Sequence, residues 1–124
     1  MDASAKQPLV RYLDATQRQS CPYGDVARIV TGGAGGVANV HVVRVTRGAP
    51  HFHQGYDEVY YVLSGTGRMT IGAESHSLRP GAAAVIPAGV SHSLESDAGQ
   101  TLEFVIFGSP GMDIADERAR PRKT

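Results

Sequence analysis

From Ala38 onward, short apolar or alternating runs are interrupted by turn residues about every eight to twelve positions, the spacing of an all-β sandwich or barrel. The predicted strands are residues 38–46, 50–54, 58–63, 67–71, 75–79, 83–87, 91–96 and 101–107. Turns fall at Arg47-Gly48, Gln54-Gly55, Ser64-Gly65, Gly72-Ala73, Pro80-Gly81, Ala88-Gly89 and Asp97-Ala98-Gly99. Period two assigns the faces. Arg44 and Thr46 share a face with Val40 and Val42, which leaves His41 with Val43 and Val45 on the inward side. Tyr60 and Val62 share the parity of Glu58. Met69 and Ile71, then Leu102, Phe104 and Ile106, alternate with polar or outer residues and complete an apolar wall. Glu103, Arg68 and Arg44 face out, so no inward arginine stands out as a carboxylate clamp.

Upstream the pattern is weaker. Leu9–Leu13 and Val26–Thr31 read as two short strands, with turn and breaker signals over Ala15–Gly24 between them. The run Gly32-Gly33-Ala34-Gly35-Gly36 lacks the Gly-Lys-Ser/Thr ending of a phosphate loop and no helical pattern follows it, so it reads as a loop tip. Met112–Arg120 is the one segment with a hint of helical periodicity, inside a charged tail. The expected organisation is N-terminal strands and loop over 1–37, a barrel over 38–108 and a polar tail over 109–124.

Composition narrows the function classes. The chain has 124 residues, the size of one domain. Twelve basic and twelve acidic residues balance, and the balance holds segment by segment, so no basic face of the kind that binds phosphate backbones is expected and nucleic acid is excluded as a partner. The single cysteine, Cys21, rules out an internal disulfide and a multi-cysteine zinc site, and it reads as structural in a turn before the barrel. No apolar window is long enough to span a membrane, and the polar N-terminus does not look like a signal peptide, so a cytoplasmic protein without membrane contact is expected.

The chemistry concentrates between Arg47 and Gly67. His51 and His53 fall on one face of an extended strand, their Cα atoms about 6.6 Å apart at roughly 3.3 Å per residue. Both imidazoles can therefore converge on one ion. Glu58 follows a turn-like Gln-Gly-Tyr-Asp and opens the next strand, and His92, which begins a strand after a proline turn, is the candidate fourth ligand. By contrast, His76 in Glu74-Ser75-His76-Ser77 reads as a surface residue, and His41 as a pocket-lining one.

These residues resemble the cupin superfamily, a small antiparallel jelly-roll barrel (a double-stranded β-helix). Its first motif is Gly, a short spacer, His-x-His, three or four residues, Glu, six residues, Gly. Here it stands as Gly48, His51, His53, Glu58 and Gly65, with a shortened spacer after Gly48. The second motif stands as Gly81, Pro87-Ala88-Gly89, His92 and Ser96, with Ser96 in place of the usual Asn and Ala82 where many relatives carry Asp. The resemblance covers about residues 38–108. It implies a small single-domain metal-binding protein with His51, His53, Glu58 and His92 as the ligands.

Such an ion would be one divalent transition metal. Imidazole suits iron, nickel, copper and zinc, and the carboxylate admits manganese. A phenol near a cation loses its proton more easily, so Tyr60 is a general acid–base candidate, with Glu58 beside it. In some lyase-type cupins a tyrosine at this place does acid–base work. Val62, Met69 and Phe104, with His41, are expected to line an apolar pocket that favours a moderately apolar small molecule. The expected function is a metal-dependent isomerase, cyclase or lyase acting on a carbonyl-containing metabolite, as in natural-product biosynthesis. The alternatives are a non-haem metal dioxygenase and a non-catalytic ligand- or metal-binding module. In the resembling family, N-terminal strands often extend a partner's sheet, so a homodimer is expected; the alternative is that they fold back on their own barrel.

Overall fold

The computed structural model describes residues 8–21, 24–32, 37–45 and 57–110. Nine strands are found among them: β1 Arg18–Cys21, β2 Gly24–Val30, β3 Asn39–Val45, β4 Asp57–Ser64, β5 Gly67–Ile71, β6 Glu74–Leu78, β7 Ala83–Ile86, β8 His92–Ser96 and β9 Leu102–Ser109. Every pairing among them is antiparallel. One sheet runs β1-β2-β3-β9-β4-β7 and the other β6-β5-β8. The architecture is all-β, as the turn spacing predicts, with the antiparallel two-sheet jelly roll that the resemblance implies.

The alternation in the sequence explains why these segments are strands. In β4 every second residue is buried, from Glu58 through Tyr60 to Val62, while Val59, Tyr61 and Leu63 face out. In β9 Leu102, Phe104 and Ile106 are buried and alternate with Glu103, Val105 and Phe107. Met69 and Leu94, paired across β5 and β8, bring the second sheet's apolar face onto the first. The buried cluster formed by the two inner faces includes Val43, Val62, Met69, Leu94, Leu102 and Phe104. Burying one such side chain contributes about 1.5–3 kcal/mol relative to exposure.

Two turns are tied to particular residues. Gly65 has φ +82°, and a Cβ there would collide with the carbonyl oxygen of Thr101, so only glycine fits at the end of β4. Gly89, with φ +83°, closes the Pro87-Ala88-Gly89 turn, in which the Val90 N–H donates to the Pro87 carbonyl at 3.2 Å. Both glycines belong to the two motifs read from the sequence.

The N-terminal part differs from expectation. Leu9–Leu13 is no strand. Residues 8–12 carry no regular structure, and Leu13–Ala15 is a single 3-10 turn. An apolar run satisfies the strand pattern locally, but without a partner ladder its backbone does not become one; Val10 and Tyr12 stay exposed. Instead, Arg18–Cys21, inside the predicted turn region, forms β1 against β2. Cys21 is therefore a strand residue, half-buried and packed against the core. The β2 strand pairs with the chain's own β3, from Gly24↔Val45 to Val30↔Val40. Ion pairs from Arg18 to Asp25 (2.8 Å) and Glu103 (3.6 Å), and from Arg44 to Glu103 (3.4 Å), lace β1, β2, β3 and β9 together on the outer face. Being partly exposed, each is worth at most about 1 kcal/mol. The predicted strand 50–54, the turns at 47–48 and 54–55, most of the glycine run and Met112–Arg120 lie outside the described residues.

Candidate metal and proton-transfer site

The register of the larger sheet sets out its inner face in rows. One row is Asn39, Gly108, Glu58 and Ile86; the next is His41, Ile106, Tyr60 and Ala84; the third is Val43, Phe104 and Val62. Polar residues occupy the first rows and apolar ones the third. On the facing sheet the same gradient runs from His92, paired with Ile71, to Leu94, paired with Met69. The polar ends coincide. Asn39, His41, Glu58 and His92 are the buried polar or charged residues among those described.

Two of these, Glu58 and His92, meet the buried Tyr60. Tyr60 Oη lies 3.1 Å from His92 Nε2, and Glu58 Oε1 lies 3.4 Å from the same nitrogen. Tyr60, Glu58 and His92 are 2 %, 4 % and 2 % exposed, which puts their interaction outside the screening of water. His92 Nδ1 lies 2.9 Å from the carbonyl of Val90. A carbonyl only accepts, so Nδ1 carries the proton. In the neutral ring Nε2 then holds a lone pair, and the Tyr60 hydroxyl donates to it. The Tyr60 ring stacks on Phe104 with centroids 4.9 Å apart and planes at 13°, and meets the His92 ring edge-on. The phenol is thus held from both sides.

Local anchors bring the two carriers of the site together. Glu58 is the second residue of β4, and His92 opens β8 after the Pro87–Gly89 turn. Asp57, the residue before Glu58, accepts the Ala88 N–H through Oδ1 at 2.8 Å and fastens that turn to β4. Asn39 Oδ1 accepts the Gly32 N–H at 3.2 Å and holds the chain at the entry of β3.

The sequence-predicted residues fall out as follows. Glu58, Tyr60 and His92 come together. His41 is buried one row from Glu58, with Val43 and Val45 on the same face, as parity requires. Val62, Met69 and Phe104 are core residues beneath Tyr60, with Val62 and Phe104 in the row next to it. His76 is exposed on β6, 3.4 Å from Glu74. His51 and His53 lie outside the described residues, and among the described ones no group of three or more His, Cys, Asp or Glu side chains is placed to hold a metal. Sequence reasoning missed Asn39, Asp57 and Arg28. Asn39 carried a signal, since it shares the inward parity of His41, Val43 and Val45. Arg28 sits opposite His41 across β2 and β3, on an inward-parity position, with Nη1 2.7 Å from Gln19 Oε1.

The donor chemistry of the described pair fits a divalent ion. Two ligands at about 2.1 Å from one ion, at roughly 90–110° to each other, stand about 3.0–3.4 Å apart. Glu58 Oε1 and His92 Nε2 meet that spacing. One offers a carboxylate oxygen and the other an imidazole lone pair whose tautomer the Val90 carbonyl has already set.

Comparison with known proteins agrees with the geometry. A protein of unspecified function from Planctomyces limnophilus is similar in structure over 92% of this chain and 97% of its own, with a TM-score of 0.78 and 26% identity. The ectoine synthase from P. lautus is similar over 94% of both chains, with a TM-score of 0.77; at 14% identity that likeness speaks for the fold alone. An uncharacterized protein of Streptomyces coelicolor is 35% identical over 54 residues, 44% of this chain, and the match spans about half of that relative's length, 51%. None of the described helical segments is long and apolar enough to cross a membrane. The cupin domain model matches residues 39–108, from the first residue of β3 almost to the end of β9, and the chain therefore belongs to the cupin family.

Proposed function

We propose that this cupin is a metal-dependent enzyme acting on a small, moderately apolar, carbonyl-containing metabolite, with chemistry of the isomerase, cyclase or lyase type. The carrying observation is the buried Glu58–His92–Tyr60 cluster at the polar end of an otherwise apolar interior. Glu58 and His92, with His51 and His53 from the segment that enters β4, are the residues that would hold the ion. Bound there, a divalent transition metal supplies Lewis acidity toward a carbonyl oxygen. The chain's own residues supply the rest. The Tyr60 hydroxyl is the group that gives or takes a proton, and its stacking on Phe104 fixes where that proton is delivered. The apolar side chains around it, Ile106 in its own row and Val62 and Phe104 in the next, exclude water from a reactive carbonyl compound. His41, in the same row as Tyr60, lines the same interior and can hydrogen-bond a substrate oxygen. The small-molecule synthase found on this fold in P. lautus is in keeping with this reading.

The test begins with protein purified without chelator. Metal analysis is expected to find close to one equivalent of a transition metal; His92→Ala and Glu58→Gln are expected to lose it while the far-ultraviolet spectrum stays that of a folded β protein. Less than about a tenth of an equivalent in the unmodified protein, or full retention in both variants, overturns the site. Turnover is then sought across a panel of carbonyl metabolites. Tyr60→Phe is expected to lower it by about 10²-fold or more. Metal-loaded protein that binds panel members and converts none of them overturns the enzyme reading.

A further inference from the structure

The row that carries Glu58 has a gap in it. Asn39 on β3, Gly108 on β9 and Glu58 on β4 stand side by side on the inner face, and the middle position has no side chain. Gly108 is buried, and its φ lies outside the left-handed region, so the turn geometry that requires Gly65 and Gly89 does not require glycine here. Glycine inside a strand forgoes the packing of a side chain, and its recurrent use is to let another group approach the backbone closely. In the next row the corresponding position is filled by Ile106, between His41 and Tyr60. The result is a slot over Gly108, floored by bare backbone and bounded on its apolar side by Ile106.

The two walls of the slot differ in chemistry. The β4 wall is Glu58 with Tyr60, joined from the facing sheet by His92. The β3 wall is Asn39, 1% exposed, with His41 two residues beyond it. Asn39 Oδ1 accepts the Gly32 N–H, which fixes the orientation of the amide. The oxygen faces Gly32 at the entry of β3, and the NH2, on the opposite branch of the planar group, faces away from it and is shut off from bulk water. We infer that the slot holds a second oxygen of the substrate: the Asn39 NH2 donates to it above Gly108, while the reacting carbonyl lies at the Glu58–Tyr60 wall. The placement of that carbonyl rests on the function proposed above; the Asn39 subsite adds the substrate class. Strands about 4.8 Å apart put the Asn39 and Glu58 Cα atoms about 10 Å apart across β9. A hydrogen-bond length at each wall leaves about 4 Å between the two substrate oxygens. That separation selects a carbonyl compound with a further carbonyl or hydroxyl oxygen on a carbon two or three bonds from the first.

Two ketones with the same carbon skeleton test the subsite: acetonylacetone, with two carbonyls three bonds apart, and methyl butyl ketone, with one. Ligand-observed NMR titrations of protein purified without chelator measure their affinities, with metal content determined on the same samples. The diketone is expected to bind roughly two- to ten-fold tighter, the range of one net hydrogen bond. Asn39→Asp keeps an oxygen for the Gly32 N–H and replaces the NH2 with a second acceptor. At about pH 8 it is expected to erase the preference with metal content unchanged, which loss of the Gly32 contact would not explain. Gly108→Val fills the slot with a residue that suits a strand, and it keeps the test valid if Asn39→Asp fails to fold. It is expected to lower diketone binding to the level of methyl butyl ketone or below. Equal binding of the two ketones by the unmodified protein, binding of neither, or a preference that survives both substitutions overturns the subsite. Metal content separates that result from the proposed function. Protein that holds its metal and binds the two ketones alike loses the subsite and keeps the function; protein that holds no metal and still prefers the diketone keeps the subsite and loses the metal site.

Discussion

Tyr60→Phe should tighten metal binding, against the usual expectation for deleting a polar group from a site. The reason is the single lone pair on His92 Nε2. The Val90 carbonyl holds the proton on Nδ1, and the Tyr60 hydroxyl donates to Nε2 at 3.1 Å. A metal ion on Nε2 needs the same lone pair, so binding must first break that hydrogen bond. A buried hydrogen bond contributes about 1 ± 0.5 kcal/mol net, and removing the hydroxyl should therefore lower the metal dissociation constant by roughly two- to ten-fold, about five-fold at the centre of the range. The ring remains stacked on Phe104, so no cavity opens to confuse the reading. The same free energy must reappear in the metal-free protein, whose melting temperature should fall by about 3–5 °C for 1 kcal/mol in a domain of this size. The metal-induced rise in melting temperature should grow to match. Competition titrations against a chromophoric chelator, on unmodified protein and variant, measure the first quantity, and calorimetric melts with and without metal measure the second. Weaker binding by the variant would refute the reasoning, because it would mean that the hydroxyl is itself a ligand. Unchanged affinity with an unchanged metal-free melting temperature would show that the hydrogen bond carries no net energy.

Two stability predictions follow from the packing. Phe104 is fully buried in the core and stacked on Tyr60, so Phe104→Ala should cost about 3–5 kcal/mol in chemical denaturation, and a cost below about 1 kcal/mol would show that the site collapses around the gap. Gly65→Ala must combine a positive φ with a methyl group against the Thr101 carbonyl, so it should destabilise by at least about 1–3 kcal/mol, whereas Gly72→Ala, with open space around its Cβ position, should cost less; equal costs at the two glycines would contradict this steric account.

Much of the barrel is legible in the chain because strand parity is a local property. The inward set His41, Val43, Val45, Glu58, Tyr60, Val62, Met69, Leu102, Phe104 and Ile106 follows from alternation and turn spacing alone, and the structure buries all of them, while Ile71, assigned to the same wall at the end of β5, is only partly buried against it. The glycines of the two motifs follow from the same local logic, since a positive φ is demanded by one turn at a time. His92 could be assigned an inward face, but nothing in its neighbourhood says that it meets Tyr60. That meeting depends on β4 and β8 lying in different sheets that face each other across the core, a consequence of pairings between segments distant in the chain, β4 with β7 and β9 and β8 with β5. The failures have the same origin. Leu9–Leu13 has the composition of a strand and lacks a ladder, while Arg18–Cys21 has the look of a turn and acquires one from β2. Val42 sits on the outward parity and is nevertheless 4% exposed, in a row with Ala27 and Val105, because burial on the outer face depends on which strands and side chains flank it. The residue sequence by itself determined which side chains face inward, where the turns fall and which residues are chemically able to bind a metal. Only the tertiary structure decided that Asn39 stands in the row of Glu58, that Asp57 clamps the turn before His92, and that one lone pair on His92 is contested by Tyr60. Those are distances between elements, and alternation within an element carries no information about them.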